Sequence, residues 1–170
     1  MKYTKGFTLI ELLIVIVLIG VITGLAMLSM GTADPRDQQK LEAERLVKLI
    51  ELASQESIVR GEVIGLELFK HGYRFASVIR NKWQREMTNG IFKARILAPQ
   101  MVLSFERNQN QVDLAEHSIE SVALKPQLIF TPDGDIELFK LIVDMKESNS
   151  RFRIINTANK GLQIESQDTK

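Results

Sequence analysis

The chain has 170 residues, with 22 Lys and Arg against 21 Asp and Glu, and no cysteine. This length holds one domain with a real core beside an N-terminal segment of another kind. Balanced charge gives no electrostatic case for nucleic acid or anionic lipid as the main partner, and the missing thiols exclude disulfides, thiolate nucleophiles and Cys-based metal sites. At the N-terminus, Lys2 and Lys5 precede Gly6. Phe7-Thr8-Leu9-Ile10-Glu11 then opens an apolar stretch with no further charge until Asp34. The 19 residues from Leu12 to Met30 are uncharged, enough to span a bilayer as a helix at about 1.5 Å per residue. The lysines predict a cytoplasmic N-terminus and an external C-terminal domain. Gly20 and Gly24 form a small-xxx-small face. An acid costs about 2.5–3.5 kcal/mol at the centre of such a helix, so Glu11 needs a partner. A secretory signal cut near Gly31-Thr32-Ala33 is the weaker reading. Signal cores run to about 7–15 apolar residues and carry no acid at their start.

Lys5-Gly6-Phe7-Thr8-Leu9-Ile10-Glu11-Leu12-Leu13 resembles the class III signal of type IV pilins and type II secretion pseudopilins. In that family an inner-membrane aspartic peptidase cuts after the Gly and methylates the new N-terminal Phe. The resemblance implies that residues 1–6 are a leader, that cleavage falls between Gly6 and Phe7, and that Phe7 is N-methylated. Glu11 takes the place of the family's assembly glutamate. Cleavage removes two of the 22 basic side chains and creates an α-amine beside the bilayer. Glu11 lies one turn from that amine on its own helix, or opposite the amine of a staggered neighbour, and pairing relieves both desolvation costs. The resemblance favours the neighbour, with residues 7–30 serving first as membrane helix and then as filament core.

Next comes a break or kink over residues 31–35, with Asp34 as cap and Pro35 at a first helical position. From Asp37 to about Gly61 helical spacing resumes, placing Leu46, Val47, Ile50, Ala53 and Ser57 on one face. Gly61 reads as a C-cap. The pattern lasts too few heptads for a coiled coil, so this amphipathic face, within residues 31–61, seals a β-domain. A helix from Phe7 to Arg60 would be about 80 Å long, which is the pilin plan by resemblance.

Residues 62–170 read as short strands separated by turns. Val63–Phe69 and Tyr73–Ile79 flank Lys70-His71-Gly72 as a hairpin. Further strands are expected at 96–97, 102–106, 121–124, 127–130 and 136–144. A last hairpin joins 152–156 to 162–165. Residues 81–95 and 107–120 read as irregular surface loops or a short excursion, and the tail from Ser166 as frayed. The fold class is α+β: a long N-terminal helix on an antiparallel sandwich or two small sheets.

Phe130-Thr131-Pro132-Asp133-Gly134 is a turn, with Pro132 presetting φ and Asp133-Gly134 reversing the chain into Ile136. It resembles the F-x-P-D-G turn of H-type minor pseudopilins of type II secretion systems, as does the final hairpin. The resemblance implies a non-enzymatic, single-pass subunit of the bacterial inner membrane with a periplasmic domain, near the tip of a pseudopilus that assists export of folded proteins. Its partners would be other minor pseudopilins, the major pseudopilin, the prepilin peptidase and the inner-membrane assembly platform. The alternative is a minor type IV pilin of a surface fibre for adhesion, twitching or DNA uptake. No cofactor and no metal are expected. His71 and His117 have no partner histidine at ligand spacing, and Asp133-Gly134-Asp135 lacks the ligand series of a calcium loop. Trp83 among Arg74, Arg80, Lys82, Arg85, Lys93 and Arg95 could stack on a base, but such a Trp more often anchors a loop on its own domain.

Overall fold

The computed structural model describes residues 7–29, 34–85, 90–116, 123–146 and 148–168. Gly6, His117 and residues 31–33 of the expected break fall outside the described residues. The chain divides into two units, Met1–Ala33 and Asp34–Lys170. In the first, the leucine- and isoleucine-rich run winds into helix α1 (Leu9–Ser29). Every described side chain from Phe7 to Ala26 is exposed. The Thr23 hydroxyl donates to the Ile19 carbonyl at 2.7 Å, so its polarity is satisfied within the helix.

The second unit opens with helix α2 (Pro35–Arg60). Its boundaries follow from three residues. Asp34 accepts the Arg36 amide at 2.9 Å, Pro35 supplies a preset φ, and Gly61 turns left-handed at φ 66° while its N–H donates to the Ser57 carbonyl. The buried face comprises Gln39, Glu42, Ala43, Leu46, Leu49, Ile50, Ala53 and Ser57. It is wider than the expected stripe, and Val47 is only half-buried at its margin. Three of its members, Gln39, Glu42 and Ser57, are polar and find partners. Gln39 donates to the Val143 carbonyl at 2.6 Å, and Glu42 accepts from the Tyr73 hydroxyl at 2.8 Å.

Ten strands follow: β1 (Ile64–Phe69), β2 (Gly72–Ile79), β3 (Lys82–Arg85), β4 (Arg95–Ile96), β5 (Met101–Arg107), β6 (Asn110–Val112), β7 (Leu128–Phe130), β8 (Phe139–Met145), β9 (Ser150–Thr157) and β10 (Gly161–Asp168). They form two five-stranded sheets. One has the order β3-β2-β1-β7, with β4 also on β2, and the other is β10-β9-β8-β5-β6. Every pairing is antiparallel. In the second sheet burial alternates, with Leu103, Val143 and Phe152 in register along one inward row and Phe105, Leu141 and Ile154 along the next. That is a sheet with one face on the core. In the first sheet all of β1 is buried. Its inner residues Ile64, Leu66 and Leu68 join the core with Phe75 and Tyr73. Its outer residues are covered by the segment after residue 122: a Cβ on Gly65 would lie 2.6 Å from Pro126 and 2.8 Å from Trp83. One apolar cluster joins the inner faces of both sheets to α2.

Five expectations are corrected. Residues 81–95 hold β3, β4 and the buried Phe92, whose ring centroid is 4.8 Å from that of Phe75, so they are not simply a surface loop. Residues 107–120 hold β6. The strand expected at 136–144 begins at Phe139, because Asn156 donates to the carbonyls of Ile136 at 3.0 Å and Glu137 at 2.9 Å and takes them out of any ladder. Of the strand expected at 121–124, the described residues 123–124 pair with no strand. Strand β10 continues to Asp168, past the point where fraying was expected.

Candidate functional site

Glu11 stands in the first turn of α1. Thr8 is the N-cap: its carbonyl accepts the Glu11 amide at 3.1 Å and the Leu12 amide at 3.3 Å. Its hydroxyl accepts the Glu11 amide at 3.4 Å. In return Glu11 Oε2 accepts the Thr8 amide at 3.0 Å and the Thr8 hydroxyl at 3.2 Å. This is a reciprocal capping box. The Thr-x-x-Glu spacing was visible in the sequence, and reasoning that treated Glu11 only as an acid without a partner missed it. The box satisfies one carboxylate oxygen, while Oε1 accepts no hydrogen bond from a described residue. Phe7, the residue before the cap, is 80% exposed. A carboxylate and one open acceptor position thus meet at the start of an exposed apolar helix. The Gly6 side of the expected cleavage junction lies outside the described residues.

The second region is the turn after β7. Phe130 is fully buried, and its carbonyl accepts from the Ser57 hydroxyl of α2 at 3.0 Å. The Gly134 amide closes the turn on the Thr131 carbonyl at 2.9 Å, with Pro132 at the second position as its fixed φ requires. Gly134 has φ 83°, and a Cβ there would lie 3.3 Å from Ile58 Cδ1, so a larger residue meets strain and crowding together. The Thr131 hydroxyl and the Asp135 amide both donate to Asp133 Oδ1. These bonds hold the Asp133 carboxyl below its ordinary range, the hydroxyl contributing most. The expected motif residues Phe130, Pro132, Asp133 and Gly134 are therefore brought together, and they dock a turn on the end of α2.

The remaining sequence candidates divide. Trp83 is half-buried against Gly65 and Pro126, anchoring its own strand. Arg74 is not a surface cation: it is 2% exposed and pairs with Glu67 at 2.6 Å across β1 and β2. Arg95 pairs with Glu42 at 2.9 Å. His71 is half-buried, and its Nδ1 lies 2.8 Å from the Met101 carbonyl, a contact that requires the proton on Nδ1.

Residues 1–27 match the model of the prokaryotic N-terminal methylation motif, and residues 42–163 match that of type II transport protein GspH. The chain is 30% identical over 169 residues to type II secretion system protein H of Pseudomonas aeruginosa, covering 96% of this chain and 95% of that protein. With its counterpart in Aeromonas hydrophila it shares 26% identity over 156 residues, 87% and 85% of the two chains. Among solved structures, the minor pseudopilin EpsH of Vibrio cholerae aligns with TM-score 0.61 at 19% identity, over 76% of this chain and 97% of that one. A solution structure of E. coli GspH aligns with TM-score 0.57 at 14% identity, over 82% and 95%. The two structural likenesses show the pilin-like fold, and the matches in sequence add the family: the chain belongs to the GspH family of type II transport proteins.

Proposed function

We propose that the chain works as a non-catalytic minor pseudopilin near the tip of a periplasmic pseudopilus, assisting export of folded proteins across the outer membrane. Residues 1–6 are the leader, removed between Gly6 and Phe7, and Phe7 is N-methylated. Residues 7–30 hold the subunit in the inner membrane until it enters the fibre, 31–61 carry the amphipathic helix, and 62–170 form the periplasmic β-domain. The observation that carries this reading is the exposed apolar helix α1, whose sole charged group is the Glu11 carboxylate at its capped start. Such a helix needs lipid or other helices around it. The open Glu11 oxygen is the acceptor for an α-amine, best supplied by a staggered neighbour. Other pseudopilins, the prepilin peptidase and the inner-membrane assembly platform are the partners this implies. The energy for fibre growth comes from elsewhere, since the sequence has no glycine-rich phosphate loop.

The family match supports secretion over a surface fibre. Deleting the gene tests the choice. Loss of exoprotein secretion with normal twitching and transformation is expected, and the reverse pattern would move the chain to the type IV pilus.

A further inference from the structure

Beside the middle of α2 lies a cavity of about 450 Å³, walled by Arg45, Lys48, Lys93 and Arg95 over Leu49 and Tyr73. Among the described residues, the carboxylate paired with these cations is Glu42, and it is already engaged. Glu42 accepts from Tyr73 at 2.8 Å, pairs with Arg95 at 2.9 Å and lies 3.9 Å from Arg45. It is 4% exposed and cannot swing out to meet the lysines. Lys48 and Lys93 are exposed, and neither forms an ion pair with a described residue. Four cations line this concave site, and among the described residues Glu42 is the one carboxylate that pairs with any of them, so positive charge is in excess there. Ile91 lines it while 67% exposed, an apolar side chain that gains by being covered.

We propose that this cavity receives an acidic side chain flanked by apolar residues, carried by a different subunit of the fibre. The inference rests on reading the chain as a fibre subunit. A lipid surface is the poorer occupant, because polybasic membrane contacts depend on clusters of cations presented to a plane, whereas these line a hollow with a tyrosine and a leucine at its base. A second copy is also poorer. A two-fold contact between copies at this face would set the same excess of positive charge against itself. Rim charges of this kind set partner choice and encounter rate more than raw affinity.

The test is photocrosslinking in the secreting cell, using the full chain with benzoylphenylalanine in place of Ile91. The expected adduct joins Ile91's position to a peptide of another pseudopilin in which Asp or Glu is flanked by apolar residues. Combining Lys48→Glu and Lys93→Glu should lower its yield about tenfold without changing N-terminal processing or the amount of protein in the membrane. Adducts confined to lipid or to a second copy, no adduct at all, or a yield indifferent to the charge reversal would each overturn the proposal. The two readings fail separately. If deletion of the gene leaves secretion intact, the pseudopilin reading falls. If deletion stops secretion but the reversed variant crosslinks at full yield, the cavity proposal alone falls.

Discussion

Arg74 and Glu67 face each other across β1 and β2, both nearly excluded from water. Glu67 also accepts the Lys125 amide at 3.0 Å, and Arg74 donates to the Ala123 carbonyl at 3.2 Å. The pair therefore pins the covering segment to the sheet. Removing one partner strands the other charge in a dry site, so Arg74→Ala should cost about 3–5 kcal/mol by denaturant unfolding. In a double-mutant cycle, removing both should cost far less than the sum of the two single changes. At Asp133 the expectation concerns pH. Its folded pKa lies below its unfolded one. The carboxylate therefore contributes stability above the ordinary carboxylate range, and that contribution is lost as pH falls through the folded value. NMR titration should place Asp133 below the ordinary range, and Thr131→Val should move it back up by removing the larger cause. Glu11 poses a sharper question, because a cap and an ion pair ask different things of it. Glutamine can keep the capping bond but carries no charge. Glu11→Gln should thus be cleaved normally yet fail to assemble, and a Gln variant that supported secretion would leave Glu11 as a cap and nothing more.

Elements were legible wherever backbone chemistry was written in special residues. Asp34-Pro35 and Gly61 fixed both ends of α2, and Asp34→Ala should cost about 1 kcal/mol, readable as a lowered denaturation midpoint. The last hairpin was legible because its three-residue loop closes on Gly161 at φ 64°, as such loops require. Two other hairpins were not. Arg80-Asn81 and Asn108-Gln109 make two-residue turns with φ between 50° and 66° and no glycine, joining β2 to β3 and β5 to β6. Without the Asn-Gly or Asp-Gly signal, and with strands as polar as Lys82-Trp83-Gln84-Arg85, these stretches looked like loops. Left-handed backbone at a non-glycine residue costs about 1–2 kcal/mol. Arg80→Gly should therefore leave stability unchanged or raise it slightly, a result opposite to the usual effect of adding glycine. The α2 face was read too narrowly for a related reason. Gln39 and Glu42 are polar, and their burial depends on Val143 and Tyr73, partners about 104 and 31 residues away that no local pattern reveals.

At the scale of the whole molecule, the two units have opposite logic. Residues 34–170 bury a continuous apolar cluster between two sheets and a helix. The described side chains of residues 7–26 bury nothing in this chain. A helix of that kind needs apolar surroundings from outside the chain; in the function proposed above these are first a bilayer and then a fibre core, with the acid at its start telling one from the other. The N-terminal methylation motif was legible because it is chemistry in fixed order: cations, a small residue, an aromatic, an acid. The surface that selects neighbours was not, because Arg45 and Lys48 meet Lys93 and Arg95 only through the fold. The most direct test is the intact mass and N-terminal sequence of the protein extracted from the membranes of secreting cells. The account predicts a chain that begins at N-methylated Phe7, with residues 1–6 gone and Glu11 as the fifth residue of the mature chain. A mature protein that still carries Met1 or Lys2 would contradict it, because the amine that Glu11 is proposed to meet would never have formed.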